Sequence, residues 1–420
     1  MRFQFHLICL FAAALIAVNS SAAPAHKSKE SLAAVLHGAR SMLSIQTGEL
    51  AGPGSVDLVR RARAAQFVLV GEDHGFVEIP QFVVALKRTL GADAPAYLVA
   101  EIGPLSAEHL RQASHDGTAD AVELRYPSAV PFFGWRDDVA MFEAWQKGSA
   151  LASVWGIDQE FILSARMHLE RLVELTPPDR RATAQAYLTR AVEADHSLVT
   201  EHSPNGVLLP QLGDSDFKAL RDAFGGSVPS EAAEILKELA ESADIYRGQS
   251  GNGYDSNAQR ASLMKRHFMR NYKEAVQRDG RAPRAVFRLG AFHAGRGLSA
   301  INQFDVGNLA SELAASNGSE SLHILVIVRG GHVNKWLPFL ADDGPRNSLY
   351  EARGELAQVG AVPFLDHTVN GAWTVFDMSP LRHSASARKS GGELFERLVF
   401  AYDYVVVVPE GHPALNYPTG

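Results

Sequence analysis

The sequence predicts an α/β fold: a mostly parallel sheet with helices on both faces and a helical insertion capping the carboxyl edge of the strands. Three observations predict it. Short Val-rich runs such as "QFVLVG" (66–71) are apolar at every position, so they read as strands buried on both sides, as parallel strands are. Segments of helical period alternate with these runs. One stretch, about 176–256, breaks the alternation and reads as helices alone.

Residues 1–25 read as a signal peptide. Arg2 gives a positive start, "LICLFAAALIAV" is an apolar core too short to span a membrane, and Ser20-Ser21-Ala22 or Ala23-Pro24-Ala25 offers a cleavage site. The protein is therefore expected to be exported, periplasmic or secreted. No later apolar stretch approaches the ~20 residues of a membrane span. Cys9, the single cysteine, lies inside this segment, so the mature chain has no disulfide, thiolate nucleophile or cysteine ligand. Residues 26–64 read as an N-terminal helical segment, from "SLAAVLHGARSML" and "SVDLVRRARAA".

The α/β domain is expected over 65–420. After strand 66–71 comes helix 80–91, with Pro80 tolerated in its first turn and Gly91 as its stop. Strand "AYLVAEIG" (96–103) and helices 105–114 and 141–149 follow, then strand "LASVWGIDQ" (151–159) and helix 162–175. Beyond the insertion the rhythm returns: helix 257–278, strand "AVFRLGAFHA" (285–294), helix "LSAINQF", and strands 322–330, 373–378 and 402–409.

Composition sets bounds on function. With 420 residues, 46% hydrophobic, the chain has ordinary globular composition. Its formal net charge of −7, with no Lys/Arg run longer than two, gives nucleic acid no electrostatic footprint. The expected partner is a small-molecule substrate. "GRGLSA" (295–300) fits a dinucleotide glycine pattern only loosely, without the acid about 20 residues on. Nucleophile-elbow, zinc-helix and phosphate-loop motifs are absent from the sequence.

Polar residues gather where such a sheet binds ligands, at the carboxyl ends of its strands. One strand ends in Glu72, Asp73 and His74, the next in Glu101, the third in Asp158 and Gln159, and the fourth in His293. Carboxylates and imidazoles that converge shift one another's proton affinity and mark a site. Arg260 starts a helical stripe with Met264, Phe268 and Tyr272, four residues apart on a core-facing side, and needs the carboxylates the site offers.

At these residues the chain resembles the erythromycin esterase family, within a superfamily that includes ChaN-like haem-uptake lipoproteins and Tiki/TraB-type metalloproteases. The similar segments run in order: "GEDHG", "LVAEIG", "FFGWRDDVAMFEAW", "WGIDQ", "QRASLM", "GAFHAG" and "YDYVVVV", over roughly 60–410. Two departures stand out. Only Asp73 separates Glu72 from His74, a spacing closer to the ChaN type, and a single His293 stands where the esterases have a histidine pair.

The resemblance implies hydrolysis of an ester, lactone or amide by activated water, without a covalent intermediate. The residues fit this: His74 as the base, Glu72 or Glu101 orienting it, and His293 and Arg260 facing the developing oxyanion. Asp158 and Gln159 are expected to bind substrate. No cofactor is expected on this reading. Two alternatives stay open: a divalent metal, Mn or Zn, held by Glu72, His74, Glu101 and His293 in a Tiki/TraB-type hydrolase or protease, and a ChaN-like periplasmic haem-binding protein.

Overall fold

The structure, a computed structural model, describes residues 30–115, 118–126, 128–132, 134–147, 153–201, 206–249, 251, 253–335 and 344–416. The signal peptide read at 1–25 lies outside the described residues.

The strands are β1 (Arg40–Gln46), β2 (Glu49–Ala51), β3 (Phe67–Glu72), β4 (Tyr97–Ala100), β5 (Val154–Gly156), β6 (Ala285–Gly290), β7 (Ser321–Val328), β8 (His332–Val333), β9 (Ser348–Leu349), β10 (Trp373–Asp377) and β11 (Tyr404–Val408). Nine form one sheet in the order β2-β1-β10-β11-β7-β3-β6-β4-β5, while β8 and β9 pair apart from it. From β11 to β5 every neighbouring pair is parallel. On the other side of β11, the strands β10, β1 and β2 add antiparallel.

β3 is central and apolar up to Gly71, with only Glu72 charged at its end. All six residues are buried. Its register aligns Phe67 with Ala285 and Ser321, and Glu72 with Gly290 and Val326. Alternation then assigns the faces. Phe67 and Phe287 meet Phe268 of helix Tyr254–Asp279 with ring centroids 5.6 and 5.1 Å apart. Arg288, one residue on, turns to the opposite face and meets Asp138 of helix Arg136–Gln146. Helices thus cover both faces, and a phenylalanine fully buried in such a layer contributes roughly 1.5–3 kcal/mol.

The structure differs from the sequence reading in three places. Residues 40–51 are a hairpin, not helix. Thr47 and Gly48 carry φ of 51° and 82°, the two positive values a tight two-residue turn needs. The segment 298–304 is a loop closed by an isolated bridge between Leu298 and Phe304, and the helix follows at Val306–Ser316, where the Asp305 side chain accepts from the Val306 N–H. His293 lies in the short helix Ala291–Ala294 rather than on a strand.

The insertion forms helices Arg181–Glu201, Asp214–Asp222 and Ser230–Gly248. They share a separate apolar cluster with Leu169 and Leu172, built on Leu209, Phe217, Leu236 and Leu239. It reaches the carboxyl edge beyond β5. The Glu160 N–H donates to Ser242 Oγ at 2.9 Å, and Glu238 pairs with His267 Nε2 at 3.0 Å.

Candidate active site

β3, β6, β4 and β5 are neighbours in the sheet, so their carboxyl ends bring Glu72, His74, His293, Glu101 and Asp158 to one edge. A cavity of about 370 Å³ opens there, within the range of small-molecule sites. Glu72, Asp73, His74, Glu101, Arg260 and His293 all line it. Apolar walls come from Phe132, Phe292, Leu325, Ile327, Leu356 and Val359.

Glu101 is the hub. Its Oε2 accepts the Gly290 N–H at 2.5 Å, and its Oε1 accepts Arg260 Nη2 at 2.8 Å. His74 Nε2 stands 3.8 Å from one of its oxygens and His293 Nε2 3.5 Å from the other. Burial alone would raise the proton affinity of Glu101. The charges of His293, His74 and Arg260 and the Gly290 N–H outweigh burial and hold its pKa at about 2.

Each imidazole is fixed from behind by a carboxylate. His74 Nδ1 lies 2.9 Å from Glu72 Oε1, and His293 Nδ1 lies 2.7 Å from Asp305 Oδ2. A carboxylate only accepts, so a proton on Nδ1 of each ring satisfies these two bonds, and Nε2 of each ring is the nitrogen on the Glu101 side. Phe132 stacks on the His74 ring with centroids 3.8 Å apart and planes 10° from parallel. Its φ of 62° is a conformation a bulky side chain adopts only under constraint.

Behind Glu72 lies a second ion pair. Arg288, buried in mid-strand, places Nε 2.7 Å from Glu72 Oε1 and Nη2 2.6 Å from Asp138 Oδ1. Arg260 reaches Asp158 through Nε at 2.8 Å and Nη2 at 2.5 Å. Asp158 opposes burial first in keeping this guanidinium charged, and Glu101 assists.

The five residues expected to do chemistry, Glu72, His74, Glu101, Arg260 and His293, are brought together. Asp158 and Gln159, expected to bind substrate, do not line the cavity: Asp158 holds Arg260, and Gln159 is buried away from it. Asp73 turns from its neighbours and accepts from Tyr350 Oη at 2.6 Å. Sequence reasoning missed Asp305, Arg288, Asp138, Phe132 and Gly290. An arginine interrupting the apolar run "AVFRLGAF" was the available signal for Arg288. Among the described residues the insertion supplies no cavity wall.

The Glu72, His74, Glu101 and His293 set does not fit a divalent cation. Guanidinium groups and a backbone N–H already occupy its carboxylates. Among the described residues no group of three His, Cys, Asp or Glu side chains is arranged to hold a metal ion.

These buried charges set a stability profile. Burial pulls the pKa of His74 and of His293 down, but Glu72, and Asp305 with Glu101, reverse this and leave both above the ordinary value. Burial also pushes Asp138 up to about 7 and Glu123 up to about 8. All four bind a proton more tightly folded than unfolded. The histidine contribution is complete below ~6.5 and is lost as pH rises through the folded values; the two acids lose theirs up to their raised pKa values. Calorimetry is expected to show Tm falling by roughly 3 °C or more between pH 6.5 and 8.5. A flat or rising Tm would contradict this charge set.

No family model and no curated protein sequence matches the chain. Solved structures do. A Bacillus cereus protein matches with a TM-score of 0.54 at 13% identity, over 92% of this chain and 98% of that one. The erythromycin esterase EreC, as a mutant in its open conformation, matches at 0.53 and 14%, over 89% and 98%. A succinoglycan biosynthesis protein matches at 0.52 and 13%, over 94% and 100%. At these identities the likeness is one of fold. The chain shares the fold of these three structures, that of the erythromycin esterase EreC among them.

Proposed function

We propose that the protein is a hydrolase that cleaves an ester, or a related lactone or amide, with water activated by His74 and without a metal ion. The observation that carries the reading is the pair of imidazoles, each locked on Nδ1 by a carboxylate, facing one another across Glu101 inside a cavity.

His74 Nε2 takes a proton from water as the water oxygen attacks the carbonyl carbon, and Glu72 stabilises the imidazolium formed. The carbonyl electron pair moves to oxygen. Arg260 and His293 face that oxyanion, Arg260 as a fixed charge and His293 as a donor once protonated. When the tetrahedral intermediate collapses, the electron pair returns to the carbonyl and the alcohol or amine leaves with the proton His74 had taken. Glu101 holds the two rings and Arg260 in register. The apolar walls, Phe292, Leu356 and Val359 among them, suit the body of an uncharged acyl or alkyl group.

The test is a panel of esters, lactones and amides, run with and without a chelator and with free haem titrated separately. Turnover of an ester or lactone that a chelator leaves untouched is the expected result. Turnover abolished by chelator and restored by Mn or Zn would return the metal alternative. A Soret band on mixing with haem, with no turnover of any substrate, would replace the enzyme reading with the haem-binding one.

A further inference from the structure

We propose that Arg288, anchored by Asp138, is a positioning residue for the His74 base: it fixes the Glu72 carboxylate in the orientation that keeps the His74 proton on Nδ1. The inference rests on the hydrolase reading and adds to it the means by which the base is aimed.

The geometry is a line of contacts through the sheet. Asp138 Oδ1 meets Arg288 Nη2 at 2.6 Å, Arg288 Nε meets Glu72 Oε1 at 2.7 Å, and the same Oε1 receives His74 Nδ1 at 2.9 Å. One carboxylate oxygen is shared by a guanidinium and an imidazole. A glutamate held by the imidazole alone is free to turn about its own bonds, and a turn would free Nδ1. The guanidinium on its other side removes that freedom. Arginine suits the task because its rigid fork spans carboxylates on two different elements, β3 and helix Arg136–Gln146. Lysine presents a point charge and no fork.

Cost argues the same way. Arg288 is 2% exposed and Asp138 fully buried. A buried ion pair adds little to stability beyond what apolar residues of the same volume would provide. β6 is otherwise apolar, so packing alone offers no reason for an arginine there. Glu72 and Asp73 of its own segment, Glu101 beyond β4, Arg288 of β6 and Asp138 all act on the His74 ring, and Phe132 covers its face. Of these, only Arg288 touches the oxygen that meets Nδ1.

The test reads the tautomer directly. The imidazole ¹⁵N resonances of His74, assigned by their loss in His74→Gln, are recorded above the ring's titration in wild type, Arg288→Lys and Asp138→Asn. Wild type is expected to show the proton on Nδ1. Arg288→Lys should give a mixture with Nε2–H and lower ester turnover on the order of 10–100-fold, the loss typical when a supporting partner of a functional histidine is removed. Asp138→Asn keeps the shape of the buried pair and should move the tautomer less, in the same direction. An unchanged tautomer in folded Arg288→Lys overturns the proposal, whatever the rate does. If Arg288→Lys does not fold, the same outcome in Asp138→Asn overturns it. Wild-type protein that cleaves no ester sinks the hydrolase reading instead, and the tautomer comparison still decides the role of Arg288.

Discussion

Replacing His74 with alanine is expected to lower kcat by roughly 10²–10⁴-fold while the protein stays folded. The side chain is 22% exposed and sits just past the end of β3, so it carries little of the core. Glu72, left without the imidazole, keeps its ion pair with Arg288. The companion measurement is the pH profile of the wild type. Glu72 and then Glu101 hold the His74 pKa above the ordinary histidine value against burial. The acid limb of kcat/KM should therefore have its midpoint above ~6.5, because the base works only when neutral. His74→Ala protein that is folded and fully active would end the mechanism proposed here.

Gly290→Ala is expected to cost roughly 10²-fold or more in kcat, with the protein still folded. Nothing in the backbone requires glycine at this position: φ is −55° and ψ 149°, open to any residue. Space requires it. A methyl group there would stand 3.2 Å from His74 Nε2 and 3.3 Å from Glu101 Oε2. Both atoms lie at the cavity, so the methyl would crowd the water that His74 is proposed to activate. Alanine also narrows the unfolded ensemble, which offsets part of the cost of that crowding. Kinetics on the ester found by the panel, with a melting curve, checks both halves. An active Gly290→Ala enzyme would mean that water is held elsewhere.

These two residues mark the limits of what the sequence discloses. His74 was legible because an imidazole next to two acids at the end of an apolar strand has few structural uses. Glu101, Asp158 and His293 were legible for the same reason, since parallel strands share one carboxyl edge. Gly290 was hidden because a glycine that makes room looks the same as one that makes a turn. Asp305 was hidden behind a misplaced helix: reading 298–304 as helical concealed that Asp305 caps the helix that follows, and so also its bond to His293. The hairpin at 40–51 was lost among helix-forming neighbours, although Thr47-Gly48 was a usable turn signal. Phe132 shares no strand with His74, and only tertiary structure puts its ring there.

The hairpin has a practical meaning for the whole chain. β1 runs antiparallel to β10, and β10 antiparallel to β11, so β1 points the same way as β3. Its first residue, Arg40, therefore lies at the amino edge of the sheet, opposite the cavity. Four strand spacings separate β1 from β3, roughly 19 Å sideways at ~4.8 Å each. The helix Leu32–Ala39 enters from that far corner, and the Glu30 carbonyl accepts Ser386 Oγ there. A surface joined at Glu30 would therefore meet the amino-edge side of the sheet, away from the edge where the cavity opens.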